Sequence, residues 1–217
     1  SVEDYLELFR RRTEDGSEVV HITISAEMSA CYQNACLAAR EVPGVYPVDS
    51  RNLSTGMGLV VIEAAKRAQA GEGGAAIQKA MEAFAPRVEA SFVIDRLDYL
   101  YKGGRCSALA ALGANLLHLK PCIEVRNGRM GVGRKYRGAY EKVLRQYAHD
   151  RLHGREDIDR ERAFITWSTC PQPALDAVRA VCREEGHFEE LLETQAGCTV
   201  CNHCGPNTLG VLFVRKG

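Results

Sequence analysis

Residues 19–24, Val-Val-His-Ile-Thr-Ile, form a short β-branched, mostly apolar run that predicts a buried strand. Ahead of it, Ser1 stands three residues before Asp4, the spacing of a capping box, so a helix is expected to about Arg12. Helical patterning follows over residues 29–40, with a short strand at 45–48. A helix rich in alanine is predicted over residues 55–70, and after the glycines at 71–74 another to about Phe84. Strands alternating with helices imply parallel pairing through crossovers and a three-layer α/β piece.

Pro86 interrupts this pattern, and beyond it the style changes. A strand is predicted at residues 91–94, then a short helix at 95–101 stopped by Gly103-Gly104, and an apolar helix at 107–119. Residues 121–125 and 130–135 flank Asn127-Gly128, a strong hairpin signal. A helix over 139–153, a strand over 162–167, a helix over 173–185 and a closing strand over 210–215 complete the reading. The class is α/β, with two domains: a parallel α/β domain at residues 1–86, and an α+β domain with a largely antiparallel sheet at residues 87–217.

Charge and cysteine content narrow the function. The 217 residues carry 28 Lys and Arg against 28 Asp and Glu, a formal net charge of zero. That balance argues against a general nucleic-acid binder, whose footprint is a basic excess. No apolar run is long enough to span a bilayer, so no integral membrane segment is expected. Nine cysteines, an odd number, cannot all pair within the chain, and their spacing is not that of a small secreted scaffold. A reducing, cytoplasmic setting is the expectation. The chain contains no G-x-x-x-x-G-K-[ST], no G-x-S-x-G and no H-E-x-x-H.

Five constellations remain. In Ile24-Ser25-Ala26-Glu27-Met28-Ser29-Ala30-Cys31-Tyr32 a strand hands over to a helix, where unpaired N–H groups favour a carboxylate or phosphate; Ser29 could equally just cap its own helix. A second such turn, residues 49–56, belongs at the same sheet edge, where ligands of open α/β sheets bind; Ser54 or Thr55 is its expected cap. Gly103-Gly104-Arg105, with Lys120-Pro121 beyond, could order an anion or simply make a tight turn. Cys198, Cys201 and Cys204 with His203 have the look of part of a metal or redox site, but no second knuckle accompanies them. Finally, Arg126, Arg129, Arg134, Lys135 and Arg137 form a basic stretch, and Glu184, Glu185, Glu189, Glu190 and Glu193 an acidic one. These are two solvated faces or a docking surface for a charged partner.

Taken as a set, these segments resemble the DegV family of bacterial fatty-acid-binding proteins. The matching pieces are Ile24-Ser25 with Ser29, Val48-Asp49-Ser50, Gly103-Gly104-Arg105 with Lys120-Pro121, Asn127-Gly128 with Arg137-Gly138, and His203 with Gly205-Pro206 and Gly210. The resemblance implies a two-domain DegV-like (EDD) fold holding one long-chain fatty acid in an interdomain tunnel. It implies a non-catalytic carrier without a cofactor or metal, which presents the carboxylate to a separate fatty acid kinase for acyl-phosphate formation in phospholipid synthesis. Ser29, Ala30, His203 and Gly205 would surround the carboxylate, Arg105 would have a structural or anion-ordering role, and Arg137 would face the kinase.

Three departures accompany it. Ala30-Cys31 replaces the family's Gly-Thr, Ala26 replaces a Ser, and the H-x-G-P-G turn ends in Asn207. Ser1 matches a point inside a family motif, so the first strand and a carboxylate-binding Thr are expected upstream of the sequence. Two other functions compete with the carrier. One is a metal or redox protein using Cys198, Cys201, His203 and Cys204; the other is a hydrolase or transferase using Ser29 and His203, for which no orienting acid is evident.

Overall fold

In a computed structural model, residues 1–106 and 119–217 are described, and they form two compact units: Ser1–Val88 with Asn127–Arg129, and Glu89–Arg126 with Met130–Gly217. The apolar helix expected over 107–119 lies outside the described residues except for Leu119, which opens a strand.

The first unit begins with helix α1 (Val2–Thr13), whose start is the predicted capping box: the Ser1 hydroxyl accepts from the Asp4 N–H, and the Asp4 carboxylate accepts from the Ser1 amine. Strands β1 (Val19–Thr23) and β2 (Val45–Asp49) pair in parallel, Val19 opposite Val45 and Thr23 opposite Asp49. Helix α2 (Cys31–Ala39) connects them, and α3 (Ser54–Gln69) and α4 (Gly74–Phe84) follow. Because strand side chains alternate, the two-stranded sheet has two apolar faces. On one, Val19 and Val45 meet Leu6, Phe9, Ala35 and Ala38 of α1 and α2, and His21 sits edge-on to Tyr5 and Phe9. Burial there lowers the pKa of His21. On the other, Val20 and Ile22 line an open cleft with Ala64 of α3 and Ile77 of α4. The three-layer arrangement follows the alternation of the sequence. β1 is only half-buried, however, although its apolar run suggests a fully buried strand.

The second unit is a six-stranded mixed sheet in the order β5-β4-β3-β8-β6-β7. Its strands are β3 (Val88–Val93), β4 (Leu119–Arg126), β5 (Arg129–Arg137), β6 (Ile158–Trp167), β7 (Glu190–Gln195) and β8 (Leu209–Arg215). β3 pairs antiparallel with β4 and β6 antiparallel with β8, but β6 and β7 run parallel. Helices α6 (Tyr140–Leu152) and α7 (Gln172–Val181) supply Leu144, Tyr147, Leu175 and Val178 to a core shared with Val211 and Phe213 of β8. Tyr147 is fully buried, and its hydroxyl donates to the Ser91 carbonyl at 2.7 Å and accepts from the Val211 N–H at 2.9 Å. At another edge of the core, Arg151 pairs with Glu89 and Glu124, and Arg155 with Glu89 and Asp157.

Several details depart from the sequence reading. The helix expected over 173–185 ends at Val181 and passes into a π-helical turn, Cys182–Gly186. β7 and a short helix α8 (Cys198–Cys204) occupy the stretch with no predicted element. α3 is preceded by Leu53, which caps nothing with its side chain, so neither Ser54 nor Thr55 is the cap.

Candidate functional site

The C-terminal ends of two parallel strands lie side by side, so the turns after β1 and β2 meet. The Ser25 N–H donates to the Asn52 carbonyl at 2.9 Å, and the Ser50 N–H to the Thr23 carbonyl at 3.2 Å. The Asp49 carboxylate accepts from the Ala26 N–H at 3.1 Å and the Arg51 N–H at 2.8 Å. The buried Ser25 hydroxyl donates to the Gly128 carbonyl at 2.7 Å, and the buried Ser50 hydroxyl to the Asn52 carbonyl at 3.2 Å. Residues 127–129, the tip of the β4–β5 hairpin, belong to this unit, and there Arg129 pairs with Glu27 at 2.6 Å. Asn127 (φ 52°) and Gly128 (φ 80°) give the two positive φ angles of the tight turn that Asn-Gly predicts.

These contacts distinguish the hydroxyls of the turns. Ser25 and Ser50 are buried and tie loops together. Ser29 is half-buried, and its oxygen accepts from the Cys31 N–H at 3.3 Å and donates to the Cys31 sulfur at 3.1 Å, a weak acceptor. Ser29 therefore stands one residue ahead of the helix cap. The cap is Ala30, which is exposed and contributes no side-chain hydrogen bond, so the first turn of α2 has N–H groups without a side-chain partner.

In the second unit, α5 (Leu97–Gly103) and α8 pack together. His203, on α8, lies against Gly103: a Cβ there would come within 2.4 Å of His203 Nδ1, so a side chain at 103 would displace the imidazole. Gly205 ends α8 with φ 76° and ψ −179°, a backbone shape almost reserved for glycine, and a Cβ on it would stand 2.5 Å from the Tyr99 ring. The Ser168 hydroxyl donates to the Gly205 carbonyl at 2.7 Å and accepts from the Thr208 N–H at 3.2 Å, holding the turn. Asn207 takes φ 54° and donates to Asp95 at 3.2 Å, while Lys120 pairs with the other oxygen of Asp95. Burial would raise the pKa of Asp95, but the bonds from Lys120 and Asn207 outweigh it and hold the carboxyl below its usual range. Lys120 and Asn207 thus share a carboxylate that sequence reasoning did not single out; its only signal was its place at a strand end.

The remaining predicted residues divide as follows. Arg105 is exposed and its guanidinium returns to the Gly103 carbonyl at 2.7 Å, bracing the turn that Gly104 makes in the left-handed region. Arg137 is exposed at the end of β5. The structure brings His203, Gly205 and the Gly103-Gly104-Arg105 turn together in the second unit, whereas Ser29 and Ala30 belong to the first.

The cysteine ligand set is not assembled. Among the described residues, no three of Cys198, Cys201, His203 and Cys204 bring ligand atoms within 4.8 Å of one another. The reason is helical: positions three and six apart on α8 fan around its surface, from exposed Cys198 to buried Cys204. Burial pushes the Cys204 thiol up to about 12. The charged stretches also resolve into internal pairs: Arg134 with Asp150, Arg129 with Glu27, Glu190 with Arg162, Glu193 with Arg179, and Glu185 with His149.

Comparison with known proteins places this architecture. A family model described as "Uncharacterised protein, DegV family" matches residues 1–216. The chain belongs to the DegV family. A DegV domain-containing protein of Streptomyces coelicolor is 32% identical over 216 residues, covering 98% of this chain and 75% of the relative. A DegV relative from Thermotoga maritima, named as a fatty acid-binding protein, is 27% identical over 220 residues, covering 97% of this chain and 74% of its own length. A solved DegV structure from Thermus thermophilus, described as showing fatty acid binding, superposes with a TM-score of 0.85 at 30% identity, covering 99% of this chain and 77% of that one. The α/β architecture is therefore that of DegV proteins. Among the described residues, no helix is long and apolar enough to cross a membrane.

Proposed function

We propose that this DegV protein binds one long-chain fatty acid and presents its carboxylate to a separate fatty acid kinase, itself performing no chemistry. The observation that carries the reading is Ser29. It is a half-buried hydroxyl bonded to the first N–H of a helix whose cap residue, Ala30, offers no side-chain acceptor, in a family whose Thermus thermophilus and Thermotoga maritima members are described as fatty-acid binding.

The division of labour is physical. An alkyl chain gains about 0.8 kcal/mol per buried CH₂ and needs few specific contacts. A carboxylate removed from water is costly without donors, and a hydroxyl, helix N–H groups and an imidazole supply them. We assign these roles to Ser29, the backbone at Ala30, His203 and the Gly205 turn, with the acyl chain in an interdomain tunnel. Arg105 orders its turn, and Arg137 is assigned to the face that meets the kinase. Phosphoryl transfer depends mainly on positioning and charge stabilisation, so a carrier can serve it by fixing the acceptor oxygen. The nine cysteines, all free, fit a cytoplasmic carrier.

Solvent extraction of the purified protein followed by mass spectrometry tests lipid binding: a stoichiometric fatty acid is expected. Finding no extracted lipid and no uptake of added fatty acid would overturn the proposal. With a purified fatty acid kinase and ATP, hydroxylamine trapping is expected to yield acyl hydroxamate only when this chain is present.

A further inference from the structure

His149 lies in the last turn of α6, and His153, four residues on, is the residue that caps the helix, its N–H donating to the His149 carbonyl at 2.8 Å. Their rings stack with centroids 4.4 Å apart. Glu185 reaches them from the π-helical turn after α7; its Oε1 is 2.8 Å from His149 Nδ1 and its Oε2 is 3.2 Å from His153 Nδ1. The Oε2 atom is buried and makes no hydrogen bond, although it stands this close to the second imidazole. Single π turns are rare and often mark functional positions. This one sets Glu185 opposite the two histidines, and Arg160 holds the turn by donating to the Glu185 and Gly186 carbonyls.

We propose that His149, His153 and Glu185 form a binding site for one divalent cation of the zinc class. Two imidazole nitrogens and a carboxylate oxygen are a donor set that suits Zn²⁺, leaving a fourth position for water. The three ligand atoms lie within 4.8 Å of one another, a group found nowhere else among the described residues. Tetrahedral ligands about 2 Å from an ion stand roughly 3.3 Å apart, so on binding the two rings, now 27° from parallel, turn out of their stack to aim both in-plane lone pairs at the ion. The simpler alternative is a carboxylate bridging two histidines. That arrangement offers a single negative charge to two stacked rings and leaves Oε2 without a hydrogen bond, whereas a cation uses all three lone pairs at once. Arg160 bonds backbone carbonyls rather than the Glu185 carboxylate, so the acceptor stays open, and Arg183 and Glu184 on the same turn are exposed. The site is independent of the fatty-acid reading.

The test must separate this site from the cysteines. Tag-free protein titrated with Co²⁺ alone is expected to bind one ion per chain, with visible ligand-field bands and no thiolate-to-cobalt charge-transfer band. His149→Ala and His153→Ala are each expected to weaken binding at least tenfold, while a Cys198→Ser/Cys201→Ser variant binds as the parent does. His153 is exposed, so its variant keeps the fold and thermal melting checks this. No stoichiometric binding, binding that survives both histidine changes, or a thiolate band lost with the two cysteines would each overturn the proposal.

Discussion

Single side chains carry different kinds of weight in this protein. Ser29 has little to do in the fold beyond a turn with Cys31, whereas Ser25 and Ser50 are fixed in buried bonds. Ser29→Ala should therefore leave the melting temperature nearly unchanged. It should weaken fatty-acid binding by about 1.5–3 kcal/mol, the worth of a hydrogen bond to a charged group and roughly ten- to a hundredfold in Kd. Isothermal titration of delipidated protein reads the affinity, and thermal melting reads the stability. Tyr147 is the opposite case, being fully buried with bonds to Ser91 and Val211. Tyr147→Phe removes the partner of a buried N–H in the central sheet, so a loss of about 1–3 kcal/mol is expected in urea unfolding. The types of these residues were legible in the sequence, but their roles were not. Three serines in adjoining turns look alike until burial and partners separate them.

Elements with strong periodicity or strong punctuation were readable. The capping box of α1, the alternation of β1, α2, β2 and α3, and the Asn-Gly hairpin all followed from local chemistry. β7 and α8 were not readable, for identifiable reasons. β7 is Glu-Leu-Leu-Glu-Thr-Gln at the sheet edge, without the apolar alternation of a half-buried strand. α8 is seven residues long and lacks a side-chain cap, and its three cysteines suggested metal ligation before helix. Its place is set by packing on α5, which no local signal announces. That packing depends on glycine. Gly205→Ala should force a backbone conformation costing about 1–3 kcal/mol and push Tyr99 aside. The expected result is a lowered Tm and weakened fatty-acid binding together. Gly104→Ala, at φ 67° with nothing within 4 Å of its added carbon, should cost only backbone strain. Unchanged melting of Gly205→Ala would remove the argument.

At the scale of the whole molecule, a formal net charge of zero concealed how the charges are spent. The basic and acidic stretches read as two solvated faces or a docking surface for a partner, yet much of both is paired within the units, which sequence order alone could not reveal. Arg137 remains exposed in this pattern and is the more specific position to test for partner contact. The cysteines show the same contrast between composition and structure. All nine are free, but Cys106, Cys122, Cys182 and Cys204 are buried. Burial pushes the thiols of Cys122, Cys182 and Cys204 up to about 12 from 9.0. A thiol that keeps its proton in the folded state but loses it in the unfolded state favours unfolding as pH rises. Stability should therefore be intact below about pH 9 and fall progressively from there toward pH 12. Urea midpoints measured from pH 7 to pH 10.5 should begin to decline near the lower end of that window. Replacing Cys182 with alanine should flatten the decline, because it removes one of the groups that titrate only on unfolding. A decline equally steep in that variant would show that other groups, the buried tyrosines first among them, govern the alkaline limit.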